Sequence, residues 1–358
     1  MRQLGMADVL GELHVYMTDT GEKPRRIRNI SELAKMAGVS AGTVSRALAG
    51  KALVNSHTRE RIQALAREHG FHPNQMASRL RTGQTGVIGV VFPLGHEKKQ
   101  AISEPFFIAM LGRIGDELMH TGYDLMLSRV IPGDADDWLD RIVDSGMLDG
   151  VLLIGQSDQF DVIERVAERY LPLVVWGTRR EGQVHCAVGT DSLAGGRLAA
   201  QQLLTRGRRT LAFFGDTRAI EVEQRFAGAQ AALAEAGSGA TIVAYPTSLS
   251  TAEMMPMIED NLDRMAPGTD GIFAASDIIA MATLRLLHER GRKVPEDIAV
   301  IGFDDMRVAA QTVPLLTTIR QDFDGGAKTM VEALRKRIAG EACPSSVLEP
   351  ELIVRESA

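Results

Sequence analysis

From residue 87 onward, short apolar runs alternate with stretches in which apolar residues recur every three or four positions. The runs are "VIGVVF", "YDLMLSRV", "DGVLLIG", "LPLVVWG", "TLAFFG", "TIVAYP", "GIFAAS" and "IAVIGFDD". Nearly continuous Val, Ile and Leu predicts strands buried on both faces, as in parallel sheets covered by helices. The intervening stretches, among them 105–121, 195–206, 223–236 and 277–290, predict those helices. The alternation pauses near Gly182–Gly189, which favours two doubly wound lobes over one barrel.

Ahead of this α/β region the period is helical only. Ile30, Leu33, Ala34 and Ala37 share one face, with Ser31 as the predicted N-cap. "GVS" then breaks the helix. Gly38 suits a left-handed C-cap, Val39 turns inward and Ser40 caps the next helix. Val44, Ala47 and Leu48 give that helix its inner face. A third helix follows, capped by Asn55 or Ser56, with Ile62, Leu65 and Ala66 inward. Three short helices with a tight glycine turn between the first two make a helix-turn-helix. Pro73 closes the unit, and "NQMASRLRTGQTG" adds a helical pattern too short to be stable alone.

Charge sharpens this division. The chain of 358 residues carries a formal net charge of −6, yet residues 25–83 hold 11 Lys/Arg against 3 Asp/Glu. A basic end on an acidic body fits a nucleic-acid-binding module joined to something else, although a solvated basic surface would look the same. No apolar run is long enough to span a membrane, and the first residues lack the apolar core of a secretory signal. Cys186 and Cys343 stand far apart in sequence and form no metal-ligand pattern, which fits a reduced, cytoplasmic setting. There is no phosphate-binding G-x-x-x-x-G-K-[ST] loop, no G-x-G-x-x-G after a strand, no G-x-S-x-G elbow and no H-E-x-x-H. The eight histidines are scattered. Neither catalysis, nor a cofactor, nor a metal is expected.

The chain resembles the lactose-repressor/purine-repressor family of bacterial transcription regulators. The resemblance runs from about Asn29 to Arg355 and rests on ordered segments, among them "ISELAKMAGVSAGTVSRAL", "GTDSLAGG", "VEQRFAGAQAAL", "IFAASDIIAMATLRLL", "VPEDIAVIGFDD" and "PLLTTIRQDF". It implies a helix-turn-helix headpiece at 28–73, a hinge helix at 74–85 and a two-lobed core at 86–358 similar to periplasmic sugar-binding proteins, while residues 1–27, which show no sustained period, are expected to form a disordered extension. The first lobe would take 86–188 and 320–344, and the second 189–318 and 346–355. Met17 opens a polar leader that reads as a natural start, leaving the first 16 residues as a tail or a mis-assigned beginning.

In a helix-turn-helix the second helix meets base edges in the major groove. Here Ala41 and Gly42 stand where some relatives carry larger specificity residues. Neither can donate to a base, though Ala41 can touch a thymine methyl. Arg46 is the candidate for a bidentate guanine contact, with a phosphate contact as the alternative. Thr43 and Ser45 are expected at phosphate or base. Asn29, Ser31, Ser40, Asn55 and Thr58 are expected to position the backbone. The resemblance assigns Leu80 to a wedge in the minor groove, with Ala77 packed beside it, whereas composition alone would bury Leu80 in the core.

For the core, the resemblance implies an effector in the cleft between lobes, where parallel strands end. A sugar needs aromatic faces and hydroxyl partners. Phe106, Phe107, Trp176 and Phe323 supply the first. Arg225, Asp304, Ser276, Asp277 and Gln321 supply the second. Two departures alter the expected pattern: Gly177 stands where the family often has Asp, and Ser276 where it often has Asn. "PLGHEKKQAISEPFF" is also longer and more charged than in some relatives. Together these favour a carbohydrate over a nucleobase. The reading is a cytoplasmic homodimer that binds palindromic operator DNA and is released by a sugar. A corepressor-dependent regulator is the nearest alternative. A periplasmic sugar receptor lacks the signal peptide it would need, and an enzyme on a doubly wound sheet lacks a catalytic constellation.

Overall fold

In the computed structural model, residues 27, 29–48, 53–71, 84–94, 100–132, 137–156 and 158–358 are described. The chain divides into two compact units, Met1–Gln84 and Thr85–Ala358.

The first unit contains α1 (Ile30–Ala37), α2 (Ala41–Leu48) and α3 (Ser56–Glu68). Its core joins Leu33, Ala34 and Ala37 to Val44, Ala47, Ile62 and Ala66, with Val54 and Phe71 closing the ends. The turn between α1 and α2 forms as its residues require. Gly38 adopts φ 64°, ψ 32° and ends α1, and its N–H returns to α1 carbonyls. One expectation is corrected. The N-cap of α1 is Asn29, whose side chain accepts from Glu32 N at 2.9 Å, and Ser31 lies exposed in the first turn. Asn29 and Ser31 are both good capping types, and the chain selects the one with extended backbone, φ −145° and ψ 162°. Arg61 of α3 ties the units of this motif together by donating to Ala37 O at 2.8 Å.

The second unit holds two six-stranded sheets. The first sheet consists of β1 (Val87–Pro93), β2 (Asp124–Val130), β3 (Gly150–Ile154), β4 (Leu173–Trp176), β5 (Cys186–Thr190) and β11 (Ser346–Leu348), ordered β11-β5-β4-β3-β1-β2. All of its pairings are parallel. On one face α4 (Pro105–Met119) and α11 (Phe323–Ile338) pack Phe107, Ile114, Met330 and Leu334 onto Val90 and Leu152. On the other, α5 (Trp138–Val143) and α6 (Phe160–Ala167) pack Leu139 and Ile163 onto Val151 and Val175.

The second sheet contains β6 (Thr210–Phe214), β7 (Thr241–Tyr245), β8 (Gly271–Ala274), β9 (Ala299–Asp304), β10 (Thr317–Arg320) and β12 (Glu351–Ile353), ordered β12-β10-β9-β8-β6-β7. Only β10–β12 is antiparallel. Helices α7 (Ser192–Thr205), α8 (Ile220–Ala236), α9 (Thr251–Arg264) and α10 (Asp277–Glu289) enclose one continuous core around Phe213, Phe273 and Ile301.

Four of the twelve described strands lie beyond the eight anticipated: β5, β10, β11 and β12. Their placement moves the lobe limits. β5 keeps the first sheet running to Thr190, β10 keeps the second running to Arg320, and β11 belongs to the first sheet rather than the second. The chain therefore passes between lobes three times, at 190–192, 320–323 and 348–351. The pairing of β11 with β5 also brings the distant cysteines to one place. Cys186 Sγ lies 3.6 Å from Pro344 O, and Cys343 packs against the cluster that contains Cys186.

Candidate functional site

In the first unit, α2 carries the exposed residues expected of a recognition helix. Gly42 and Arg46 are exposed, four residues apart on one face, while Ala41, Thr43 and Ser45 are half-buried. Arg46 has no hydrogen bond or ion pair among the described residues, so its guanidinium is available to a partner. Ser40 is engaged locally. Its Oγ accepts from Thr43 N at 3.1 Å and lies 2.9 Å from Thr43 Oγ1. Asn55 caps α3 by accepting from His57 N, with Thr58 half-buried in the same first turn. Ala77 and Leu80 lie outside the described residues.

In the second unit, a cavity of about 1050 Å³, its open mouth included, lies where the strands of both sheets end. The ends of β1, β3, β4 and β5 contribute Pro93, Gln156, Trp176 and Thr190, and those of β9 and β10 contribute Asp304 and Gln321. Helix starts after β6 and β8 add Glu221, Arg225 and Ser276. Carboxyl ends of parallel strands are the usual place for a ligand in such sheets, because the chain turns there without a fixed side-chain pattern.

Arg225 is buried on the second turn of α8. Its Nη1 donates to Ala275 O, and its Cζ sits 3.7 Å above the Phe303 ring. Burial pulls its pKa down, opposed by the negative charge of Asp304. Asp304 accepts from Gln321 Nε2 at 2.7 Å. Burial pushes its carboxyl up to about 6, against the pull of Arg225. Ser276 caps α10 and faces the cavity.

Two expected residues do not reach the cavity. Asp277 points into the second lobe, where Thr318 Oγ1 donates to its Oδ1 and Met306 N to its Oδ2 at 2.7 Å. The space is made by Gly302, where a Cβ would lie 2.3 Å from Asp277 Oδ1. Asp277 therefore ties β10 to the turn after β9, and burial with the nearby Asp304 charge raises its pKa well above the ordinary range. Phe323 stands behind the wall. It meets Phe106 edge-on at 5.6 Å and Trp176 at 6.1 Å between centroids, and so supports the two rings that line the cavity. Phe107 lines it too and packs against Phe92.

Several lining residues escaped the sequence reading. Thr178, after β4, reaches the other lobe: its N donates to Glu221 Oε1 at 3.3 Å and its Oγ1 to Gln224 Oε1 at 2.6 Å. Gln156 and Thr190 are buried at the cavity wall. All three end a strand or lie within two residues of its end, as Asp304 and Ser276 do.

A helix-turn-helix with an available arginine, and a two-lobed core whose cleft sets a few polar groups among aromatic rings at the strand ends, define a DNA-binding regulator. Residues 29–74 match the family of bacterial regulatory proteins of the lacI type, and residues 200–358 match a periplasmic binding protein-like domain. The chain is 34% identical to the HTH-type transcriptional regulator CelR of Thermobifida fusca, over 93% of this chain and 99% of that one. It belongs to the lacI family of bacterial transcription regulators. Among solved structures, a complex of the transcriptional regulator CelR with cellobiose is similar at 30% identity and TM-score 0.66, covering 93% of this chain and 100% of that chain. The lac repressor dimer bound to operator and an anti-inducer shares the fold, with TM-score 0.81 at 22% identity, over 94% of this chain and 99% of that chain.

Proposed function

We propose that this regulator is a repressor of carbohydrate-utilisation genes that binds a palindromic operator as a homodimer and is released by a sugar. The observation that carries the reading is the pairing of Arg225, Asp304 and Gln321 with the rings of Phe106 and Trp176 in one cavity. Aromatic faces suit the C–H surfaces of a pyranose, and the charged and amide groups suit its hydroxyls. A related regulator is seen in complex with cellobiose, which supports a sugar as the class. The protein acts on the chromosome, in the cytoplasm, and it binds its ligand without turning it over. No helix among the described residues is long and apolar enough to cross a membrane.

Arg46 is assigned to base recognition, and Asn29, Ser31, Ser40, Thr43, Ser45, Asn55 and Thr58 to placing α2 on the duplex. Leu80 and Ala77 are assigned to the minor groove at the operator centre. The test is a thermal-shift screen of cellobiose, maltose, lactose, glucose and ribose on the full-length protein, followed by operator gel shifts with each sugar that binds. A ligand at 100 times its dissociation constant adds about 2.7 kcal/mol. Loss of the shifted band with a binding sugar supports release. Strengthening of the band by that sugar would make it a corepressor, and no stabilisation by any sugar would overturn the carbohydrate reading.

A further inference from the structure

The first-lobe wall of the cleft contains a side chain with an unusual placement. Gln156 follows β3 and is 1% exposed. Its carboxamide lies across Gly177 at the end of β4, where a Cβ would come within 2.4 Å of Gln156 Nε2. A side chain at position 177 and Gln156 in this pose exclude each other. Gln156 Nε2 donates to Thr178 O at 2.7 Å. That contact fixes the orientation of the amide, because turning it over would set two acceptor oxygens against each other. The remaining atom, Oε1, is buried and receives no hydrogen bond from the described residues. On the strand beside β4, Thr190 Oγ1 is buried and unpartnered in the same way, and across the cleft so is Arg225 Nε. Buried polar atoms are normally paired, and one left alone costs about 1–3 kcal/mol. These atoms of Gln156, Thr190 and Arg225 belong to residues lining one cavity.

We infer that Gln156 is a specificity-determining residue of this cleft: its Oε1 accepts a hydrogen bond from an unmodified hydroxyl at the end of the effector facing β3 and β4, in space left open by Gly177. The inference rests on the carbohydrate reading above and narrows it. An acceptor with a fixed amide selects a donor. A free hydroxyl qualifies. A carboxylate, a phosphate oxygen or a methyl ether offers only lone pairs at neutral pH and is rejected at that end. The first lobe therefore selects neutral sugars over sugar acids and sugar phosphates. Thr190 Oγ1, which can both give and accept, is placed for the same hydroxyl or its neighbour.

The test uses the full-length protein, calorimetry, and the sugars of the screen above together with monodeoxy analogues of whichever binds. Gln156→Leu keeps the bulk and removes the acceptor. Gly177→Ala keeps the amide and displaces it. Thermal melts establish that each variant is folded. Both variants are expected to weaken the sugar roughly tenfold, the equivalent of one hydrogen bond. One deoxy analogue should lose a similar factor on the wild type and nothing further on Gln156→Leu, the coupling that marks a direct contact. Should Gln156→Leu not fold, the same comparison on Gly177→Ala decides. Wild-type affinity in both variants would overturn the inference and leave the carbohydrate reading intact. So would equal further losses for every deoxy analogue, which would mean that Gln156 only shapes the wall. Failure of every sugar to bind the wild type would overturn both.

Discussion

Asp304 carries its carboxylate at the end of β9 on backbone with φ 116°, and Asp305 follows at φ 51°. Non-glycine residues rarely adopt such conformations, and they cluster where a site holds them. Here Arg320 and Arg355 hold Asp305 by ion pairs of 2.8 and 2.6 Å. Since burial raises the Asp304 pKa to about 6 from an ordinary 3.8, its ionised form is penalised in the folded state. That penalty is full above pH 6 and is relieved as pH falls toward 4. A hydroxyl donating to Asp304 favours the ionised form, so it works in the opposite direction. Sugar affinity is therefore expected to decline as pH drops from 7 to 5, and Asp304→Asn should bind weakly with no such slope. Calorimetry across that range checks it, and an identical slope in the variant would exclude Asp304 as the titrating group. On the DNA side, Arg46→Ala is expected to cost about 1–3 kcal/mol and to relax preference at one base pair in each half-site. Binding to a set of single-base operator variants distinguishes this from a phosphate contact, whose loss would be uniform. Arg225 and Asp304 were legible through the family resemblance, since "EQRFAG" and "GFDD" match its ligand-gripping positions. Gln156 and Thr190 were not, since "GQS" and "GTDS" read as ordinary turn chemistry. Asp277 shared the signal of Ser276, and its inward turn depends on Gly302, 25 residues away across the fold.

At the level of elements, α7 and α8 meet through glycine. A Cβ on Gly196 would lie 1.9 Å from Arg225 O, and one on Gly228 would lie 2.0 Å from Leu193 O. Each collision is with backbone, so no rotamer change relieves it. The helix that carries Arg225 thus reaches its position only because both glycines are present. Gly196→Ala is expected to destabilise the core by at least the ~1–3 kcal/mol typical of overpacking, and to weaken the sugar through Arg225. Denaturant melts and calorimetry on that variant test it; unchanged stability would mean that the helices separate freely. "GTDSLAGG" and "VEQRFAGAQAAL" were visible as segments, yet their mutual contact was not, because periodicity reports one helix at a time. The long strands were legible from their uninterrupted apolar runs. β11 and β12, three residues each, fall below the length at which any alternation registers.

For the whole molecule, charge and connectivity matter most. Residues 25–83 carry 11 Lys/Arg against 3 Asp/Glu on a chain of net charge −6, so DNA affinity comes largely from released counterions. Operator binding is expected to fall by roughly 10³ or more between 50 and 200 mM salt, if a dimer makes six or more phosphate contacts. A gel-shift series checks it, and a flat response would remove the electrostatic account. The other whole-molecule feature is the triple passage between lobes. The first lobe's core needs Phe323, Met330 and Leu334, and its outer strand needs residues 346–348. During synthesis the helix-turn-helix can close as soon as its own small core has left the ribosome, since among the described residues that core runs from Ile27 to Phe71. The lobe that begins at Val87 must wait for almost the entire remaining chain, holding its apolar strands open while the second lobe is made. The second lobe waits as well, since its sheet takes β12 and its core takes Ala358, so the two lobes close on neighbouring late segments, and the long interval before those emerge is when the growing chain has most need of a chaperone.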